Sequence, residues 1–266
     1  MCAGISGKQD LQAAFVSDAQ DDSRARRSMS DRIYVIVTAR DEAELIGATL
    51  SALSRTLPGA SVLVADDGSR DGTAAIARGC GARIVRAAKV TGKGAAATLA
   101  AHDALREAGG EGGGERGARD GEAILLLCDG DLGGSAAALA ELVAAIAGGH
   151  ADMAVASFRT RKGGGFGIAV GFARWAIRRR CGFAATAPIS GQRAMRAAVL
   201  RDALPFARGF GMELGMTIDA VRAGARRPAS PIAPASCWTS CARIAAAREA
   251  ARRSATARAP VDSRER

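Results

Sequence analysis

Aromatic residues are scarce, at 4% of 266 positions, and no run of apolar residues is long. A membrane span needs roughly 18 uninterrupted apolar residues, whereas here alanine supplies much of the 48% hydrophobic fraction between charged positions. A polytopic membrane protein is excluded. Paired cysteines are lacking too: Cys2, Cys80, Cys128, Cys181, Cys237 and Cys241 contain no CxxC spacing. That argues against a cysteine zinc site and against a disulfide framework, and reads as reduced thiols in a cytoplasmic protein. The first 28 residues carry four basic residues, four aspartates and no apolar core, so they do not form a secretory signal.

What is present is a basic chain, net +10, long enough to bury a sizeable core. Residues 221–266 hold ten arginines against Glu249, Asp262 and Glu265, so most of the excess lies in an Ala/Arg tail. A nucleic-acid surface would place its basic residues on a patterned element with aromatics between them, and this tail has neither. No nucleic-acid partner is expected.

From Arg32 onward, apolar runs alternate with helix-like segments. The runs are RIYVIVT, SVLVA, RIVRA, AILLLC and DMAVASF; helices are expected over residues 42–55, from Asp71, and over 94–107 and 135–147. Continuous apolar strands separated by helices predict an α/β fold, a mostly parallel sheet covered on both faces. The expected organisation is a disordered extension over 1–30, one domain over 31–224 and a disordered low-complexity tail over 225–266. The glycine-rich stretch 109–121 contains GxGxxG, but it follows a helix and precedes a strand, the reverse of a dinucleotide fingerprint. Gly92-Lys93-Gly94 lacks the upstream Gly and following Ser or Thr of a P-loop.

Ligands of open α/β sheets bind beyond the carboxyl ends of the strands, so the residues after each run carry the chemistry. After the first run come Thr38, Ala39, Arg40, Asp41 and Glu42, where Asp41 reads as a helix N-cap. After the second, the adjacent carboxylates Asp66 and Asp67 repel unless something binds them, Gly68 permits a sharp turn, and Asp71 reads as the next cap. After the AILLLC run, Asp129 and Asp131 project to the same side if the chain stays extended, a donor set suited to Mg²⁺ or Mn²⁺. An ordinary Asp-Gly turn is the alternative.

The series VIVTARDE, VLVADDGSRDGT, TGKGAA and LLLCDGD, continued by APISGQRA and GFGME, resembles glycosyltransferase family 2 and its Rossmann-like GT-A fold over about residues 32–224. It looks most like the polyprenyl-phosphate-type bacterial members. The resemblance implies transfer of a hexose from a nucleotide-sugar, UDP-hexose or GDP-mannose. It places Ala39, Glu42, Asp66 and Asp67 along the nucleoside and Lys93 near the phosphates. Asp129 and Asp131 would hold the cation as a DxD motif, with Asp131 its direct ligand and a catalytic residue. Glu213 would act as catalytic base or position the acceptor, and Ser190, Gln192 and Arg193 would face the acceptor. Thr38 and Asp41 depart from the Pro and Asn usual there, and the resemblance stops after Gly224, where relatives continue into a segment that closes over the diphosphate.

Polyprenyl phosphate is the first-choice acceptor, because residues 165–183 combine aromatics with Arg174, Arg178, Arg179 and Arg180, as a helix resting on an anionic membrane would. That implies a peripheral position on the inner membrane face. The alternatives are a retaining enzyme acting on a small phosphorylated acid such as a phosphoglycerate, a nucleotidyltransferase, and a nucleotide-sugar-binding pseudoenzyme without its lid.

Overall fold

The computed structural model describes residues 32–86, 90–109, 123–157, 166–207 and 211–225. The expectations for residues 1–30, 110–121 and 226–266 lie outside the described residues, as do Gly209 and Phe210.

The apolar runs become strands β1 (Ile33–Ala39), β2 (Ser61–Asp66), β3 (Arg83–Arg86), β4 (Ile124–Asp129) and β5 (Met153–Val155). A further strand, β6 (Arg193–Arg196), was not expected, because RAMR holds only Ala194 and Met195 between its arginines, neither of them a β-branched residue of the kind that marks β3. Among the described residues these form one sheet in the order β3-β2-β1-β4-β6-β5. The β1, β2, β3 and β4 pairings are parallel, while β6 runs antiparallel to both β4 and β5. The α/β expectation holds, with β6 as the reversed strand inside it.

Successive side chains of a strand point to opposite faces, and the β1 run buries both sets. Val35 and Val37 pack with Ile46, Leu50 and Leu53 of α1 (Ile46–Thr56) and with α4 (Ala140–Ala147). Tyr34 and Ile36 face the other way, against Ala96, Ala97, Ala100, Ala101 and Ala104 of α3 (Lys93–Gly109). The remaining helices are α2 (Thr73–Gly79), α5 (Phe166–Cys181), α6 (Ala197–Asp202) and α7 (Met212–Arg222). Met212, Met216 and Ala220 of α7 join the α3 side of the core. The stripe of alanines leaves no long side chain between α3 and the sheet, so the helix lies close on it and Lys93 is brought to the strand ends.

Several boundaries differ from the periodicity. Residues 42–45 form a turn leading into α1, in which the Glu42 N–H donates to Thr73 Oγ1 (2.8 Å) and the Ala43 N–H to Asp71 (3.1 Å). Asp41 is no helix cap, since α1 starts at Ile46: with φ of 53° it accepts the Arg70 N–H at 2.8 Å and ties the two loops together. Asp71 does accept the N–H of Thr73, the first residue of α2, at 3.0 Å. The single helix expected over 135–147 is a 3-10 helix (Gly130–Leu139) leading into α4, broken at Gly133, where φ is 56°.

Candidate active site

Register aligns the acidic ends. Thr38 of β1 stands opposite Asp129 of β4, and Ala39 opposite Asp66 of β2, so all terminate at one sheet edge. There an open cleft of about 920 Å³ is lined by residues that include Ala39, Glu42, Asp67, Lys93, Asp129, Asp131 and Glu213. Seven of the expected site residues are thus brought to one cavity.

Asp66 and Asp67 avoid repulsion by facing apart. Asp66 is fully buried: Oδ1 accepts the Ser69 N–H at 2.8 Å. Its Oδ2 receives no hydrogen bond among the described residues and is compensated by charge, with Arg86 Nε at 3.3 Å. It shapes the turn and does not reach the cleft, which corrects its expected contact with the nucleoside. Asp67 does reach the cleft, while its Oδ1 accepts the N–H groups of Thr91 (2.8 Å) and Gly92 (3.0 Å) and so fixes the entry to α3.

Lys93, first in α3, is the centre of the charge arrangement. Its Nζ lies 2.8 Å from Asp129 Oδ1 and 2.9 Å from Glu213 Oε1. Burial works against its charge, but the two carboxylates outweigh that and raise its pKa above the ordinary 10.5. Asp129 is held from further sides, since Thr38 Oγ1 donates to Oδ1 (3.2 Å) and Gln192 Nε2 to Oδ2 (2.6 Å). Both its oxygens already accept bonds from protein donors, and Asp131, the second acid of the Asp-Gly-Asp turn, lines the same cleft. Beneath the turn, buried Thr49 donates to the Gly130 carbonyl (2.7 Å) and accepts the Gly133 N–H (2.8 Å), fixing the backbone on either side of Asp131.

The remaining acceptor-side expectations divide. Ser190, Gln192 and Arg193 are buried and do not line the cleft. Arg193 is wholly inaccessible and donates to Ser190 O (2.8 Å), Thr217 Oγ1 (2.7 Å) and Pro188 O (3.2 Å). It is spent inside the protein and cannot pair with an acceptor phosphate. Arg40, given no role from sequence, also lines the cleft, and Ala169, Ile189 and Gly191 were not expected there. Gly191 packs so closely that a Cβ there would meet Lys93 Nζ at 2.8 Å and Asp129 Oδ2 at 3.1 Å. A glycine directly after an apolar residue and before Gln192 was the only signal.

No group of three or more His, Cys, Asp or Glu forms a metal cage among the described residues. A nucleotide-bound Mg²⁺ needs none, because it takes one or two carboxylates and completes its shell with phosphate oxygens and water. The donor set fits such a cation.

The model of glycosyl transferase family 2 matches residues 34–204. Among solved structures, glucosyl-3-phosphoglycerate synthase from Mycobacterium tuberculosis in complex with phosphoglyceric acid is 25% identical with a TM-score of 0.53, over 72% of this chain and 65% of that one. The complex of the same enzyme with Mg²⁺ and uridine-diphosphate gives the same values. A mycobacterial protein is 25% identical with a TM-score of 0.56, over 71% and 61%. The chain thus spans a little under two thirds of the length of these proteins, and no curated protein matches it. With the family model covering most of the chain and the acidic strand ends meeting in one cleft, the chain belongs to glycosyl transferase family 2.

Proposed function

We propose that the chain transfers a hexose from a uridine-diphosphate sugar to a small phosphorylated acceptor, using a divalent cation. One observation carries the reading: the cleft gathers Asp67, Lys93, Asp131 and Glu213, each suited to a different part of such a substrate. Support for the ligand classes comes from the similar synthase, which has been solved with uridine-diphosphate and Mg²⁺ and with phosphoglyceric acid. The polyprenyl phosphate expected first finds no such support.

In this reading Asp67 Oδ2 accepts an N–H of the base, and Lys93 meets the diphosphate as a mobile point charge. Asp131 holds the cation, which when bound supplies Lewis-acid stabilisation of the leaving nucleoside diphosphate. Glu213, already hydrogen-bonded to Lys93, accepts a hydroxyl of the sugar or acceptor at the cleft floor. The cleft holds donor and acceptor side by side, which lowers the entropic part of the barrier.

Titration calorimetry with uridine-diphosphate and Mg²⁺, followed by a transfer assay to 3-phosphoglycerate, tests the reading. The wild-type chain is expected to bind only with the cation, and Asp131→Ala to lose that dependence together with most of the affinity. Binding that is equal with and without Mg²⁺ contradicts the assignment, and the anomeric configuration of the product, read by NMR, separates retention from inversion.

A second reading, transfer to polyprenyl phosphate at an anionic membrane, draws on α5. Val170, Ala173 and Ile177 face the core, while Ile168, Phe172 and Trp175 on the opposite side are 84%, 62% and 61% exposed, above the exposed arginines at 178–180. Such a face combines apolar insertion with attraction to anionic headgroups. Sedimentation of the full chain with phosphatidylglycerol vesicles tests it: Trp175→Ala should weaken binding, and an unchanged bound fraction would remove this reading.

A further inference from the structure

The β1–α1 and β2–α2 loops are joined by more than the sheet beneath them. Past the end of the strand register, the Asp67 N–H donates to the Ala39 carbonyl at 3.1 Å. Three successive backbone N–H groups then cross to side chains of the second loop: Asp41 to Ser69 Oγ (3.0 Å), Glu42 to Thr73 Oγ1 (2.8 Å) and Ala43 to Asp71 Oδ2 (3.1 Å). One bond returns, from the Arg70 N–H to Asp41 Oδ1 at 2.8 Å. Arg40 and Glu42 on the first loop and Asp67 on the second line the cleft, whereas Ser69, Asp71 and Thr73 do not.

Asp41 lies between the two cleft residues of its loop, in the left-handed region with φ of 53°. Aspartate enters that region more readily than most residues, yet such a conformation persists only where its surroundings fix it. Here its own N–H, its carboxylate and the next two N–H groups are all engaged by the other loop.

Asp71 divides its two oxygens between two tasks. Oδ1 accepts the Thr73 N–H at 3.0 Å and also the Thr73 hydroxyl, and an N-cap of α2 needs no more than that. Oδ2 serves Ala43 of the other loop. Because its proton is given to Asp71, the buried Thr73 hydroxyl presents a lone pair to the Glu42 N–H. Ser69, the third acceptor, is itself held by Asp66 Oδ1 at its N–H (2.8 Å) and by Arg86 at its carbonyl (2.6 Å).

Resting on the uridine-diphosphate reading above, we propose that Asp71 is a positioning residue for nucleotide binding. It locks the Asp41 turn to the β2–α2 loop, so that Arg40, Glu42 and Asp67 meet the nucleotide as one preset wall. Asp71 touches no ligand; it acts through Thr73 and the Ala43 N–H. Pre-organisation of this kind raises affinity because the loops are ordered on folding and not at the expense of binding.

The test compares three variants of the full chain, with uridine-diphosphate and Mg²⁺ as the probe. Asp71→Asn keeps one oxygen for the Thr73 N–H but puts an amide NH₂ where an acceptor stood, so it cuts the crossing bond and spares the cap. Thr73→Val removes the acceptor of the Glu42 N–H at the same shape, and Thr73→Ser restores it. Calorimetry is expected to show about tenfold weaker binding for Asp71→Asn and Thr73→Val, with Thr73→Ser close to wild type. Hydrogen exchange followed by NMR, without nucleotide, should be faster at the amides of Asp41, Glu42 and Ala43 in Asp71→Asn, while the amides of α2 keep their wild-type rates.

Wild-type affinity in Asp71→Asn, or a loss of binding that comes with faster exchange throughout α2, would overturn the proposal and leave Asp71 a helix cap alone. If Thr73→Val does not fold, Asp71→Asn decides by the same two measurements. A wild-type chain that does not bind uridine-diphosphate contradicts the proposed function. The exchange rates then still decide the lock: acceleration confined to residues 41–43 supports it, and unchanged rates reject it.

Discussion

Gly191 shows what one missing side chain permits. Its Cα side faces the Lys93–Asp129 pair so closely that a methyl would stand 2.8 Å from Nζ and 3.1 and 3.2 Å from the two carboxylate oxygens. Real Cβ atoms essentially never come within 3.0 Å of another heavy atom, so Gly191→Ala must shift the end of the Lys93 side chain and press on the carboxylate by a few tenths of an ångström. The expected outcome is at least ~10-fold weaker binding of uridine-diphosphate with Mg²⁺, with little change in melting temperature because the atoms displaced border the open cleft. Calorimetry beside a thermal melt checks both halves. At this scale the sequence was partly legible: Asp67, Lys93, Asp129, Asp131 and Glu213 could be picked out as charged residues in strand-end motifs, and all five line the cleft. Asp66 and Arg193 carry the same kinds of charge in the same motifs, yet they are wholly inaccessible and do not line the cleft. Whether a carboxylate or guanidinium faces a cavity or is consumed by protein partners depends on neighbours distant in the chain, such as Arg86 and Thr217.

Between elements, the contact of α1 with the turn after β4 has the clearest consequence. Thr49 is fully buried, and its hydroxyl serves both the Gly130 carbonyl and the Gly133 N–H. Thr49→Val keeps the shape but leaves both backbone groups without their partner. A buried unsatisfied polar group costs about 1–3 kcal/mol, so a loss of that order in urea unfolding is expected. Cation-dependent nucleotide binding should fall as well, because Asp131 lies between the two anchored positions. Stability at the wild-type level would show that the turn satisfies itself without Thr49. Such a link is invisible in sequence, where Thr49 is one polar residue in the helical segment SAL-preceding GATL, 81 positions from Gly130. The apolar runs, by contrast, located strands β1 to β5, since their Ile, Val and Leu content leaves a signal that β6, with only Ala194 and Met195 between its arginines, does not.

For the whole molecule, the two faces of the sheet are covered by helices within the described residues, and both core clusters are assembled from residues 33–220. Residues 1–28 carry no core periodicity in their sequence, and their removal is expected to leave the melting temperature and uridine-diphosphate binding unchanged; a drop of more than a few degrees would show that this segment contributes to the core. The sequence by itself determined the α/β class and the carboxyl edge of the sheet as the place of the chemistry. Both follow from local regularities: the length and alternation of apolar runs, and acids directly after them. Only the tertiary structure decided the rest. It inserted β6 in reverse beside β4, set Gln192 against Asp129, and buried Arg193 under the cleft while leaving Glu213 at its floor. Those outcomes depend on pairing register and on the competition of several donors for one carboxylate, interactions between residues up to 120 positions apart that no local pattern encodes.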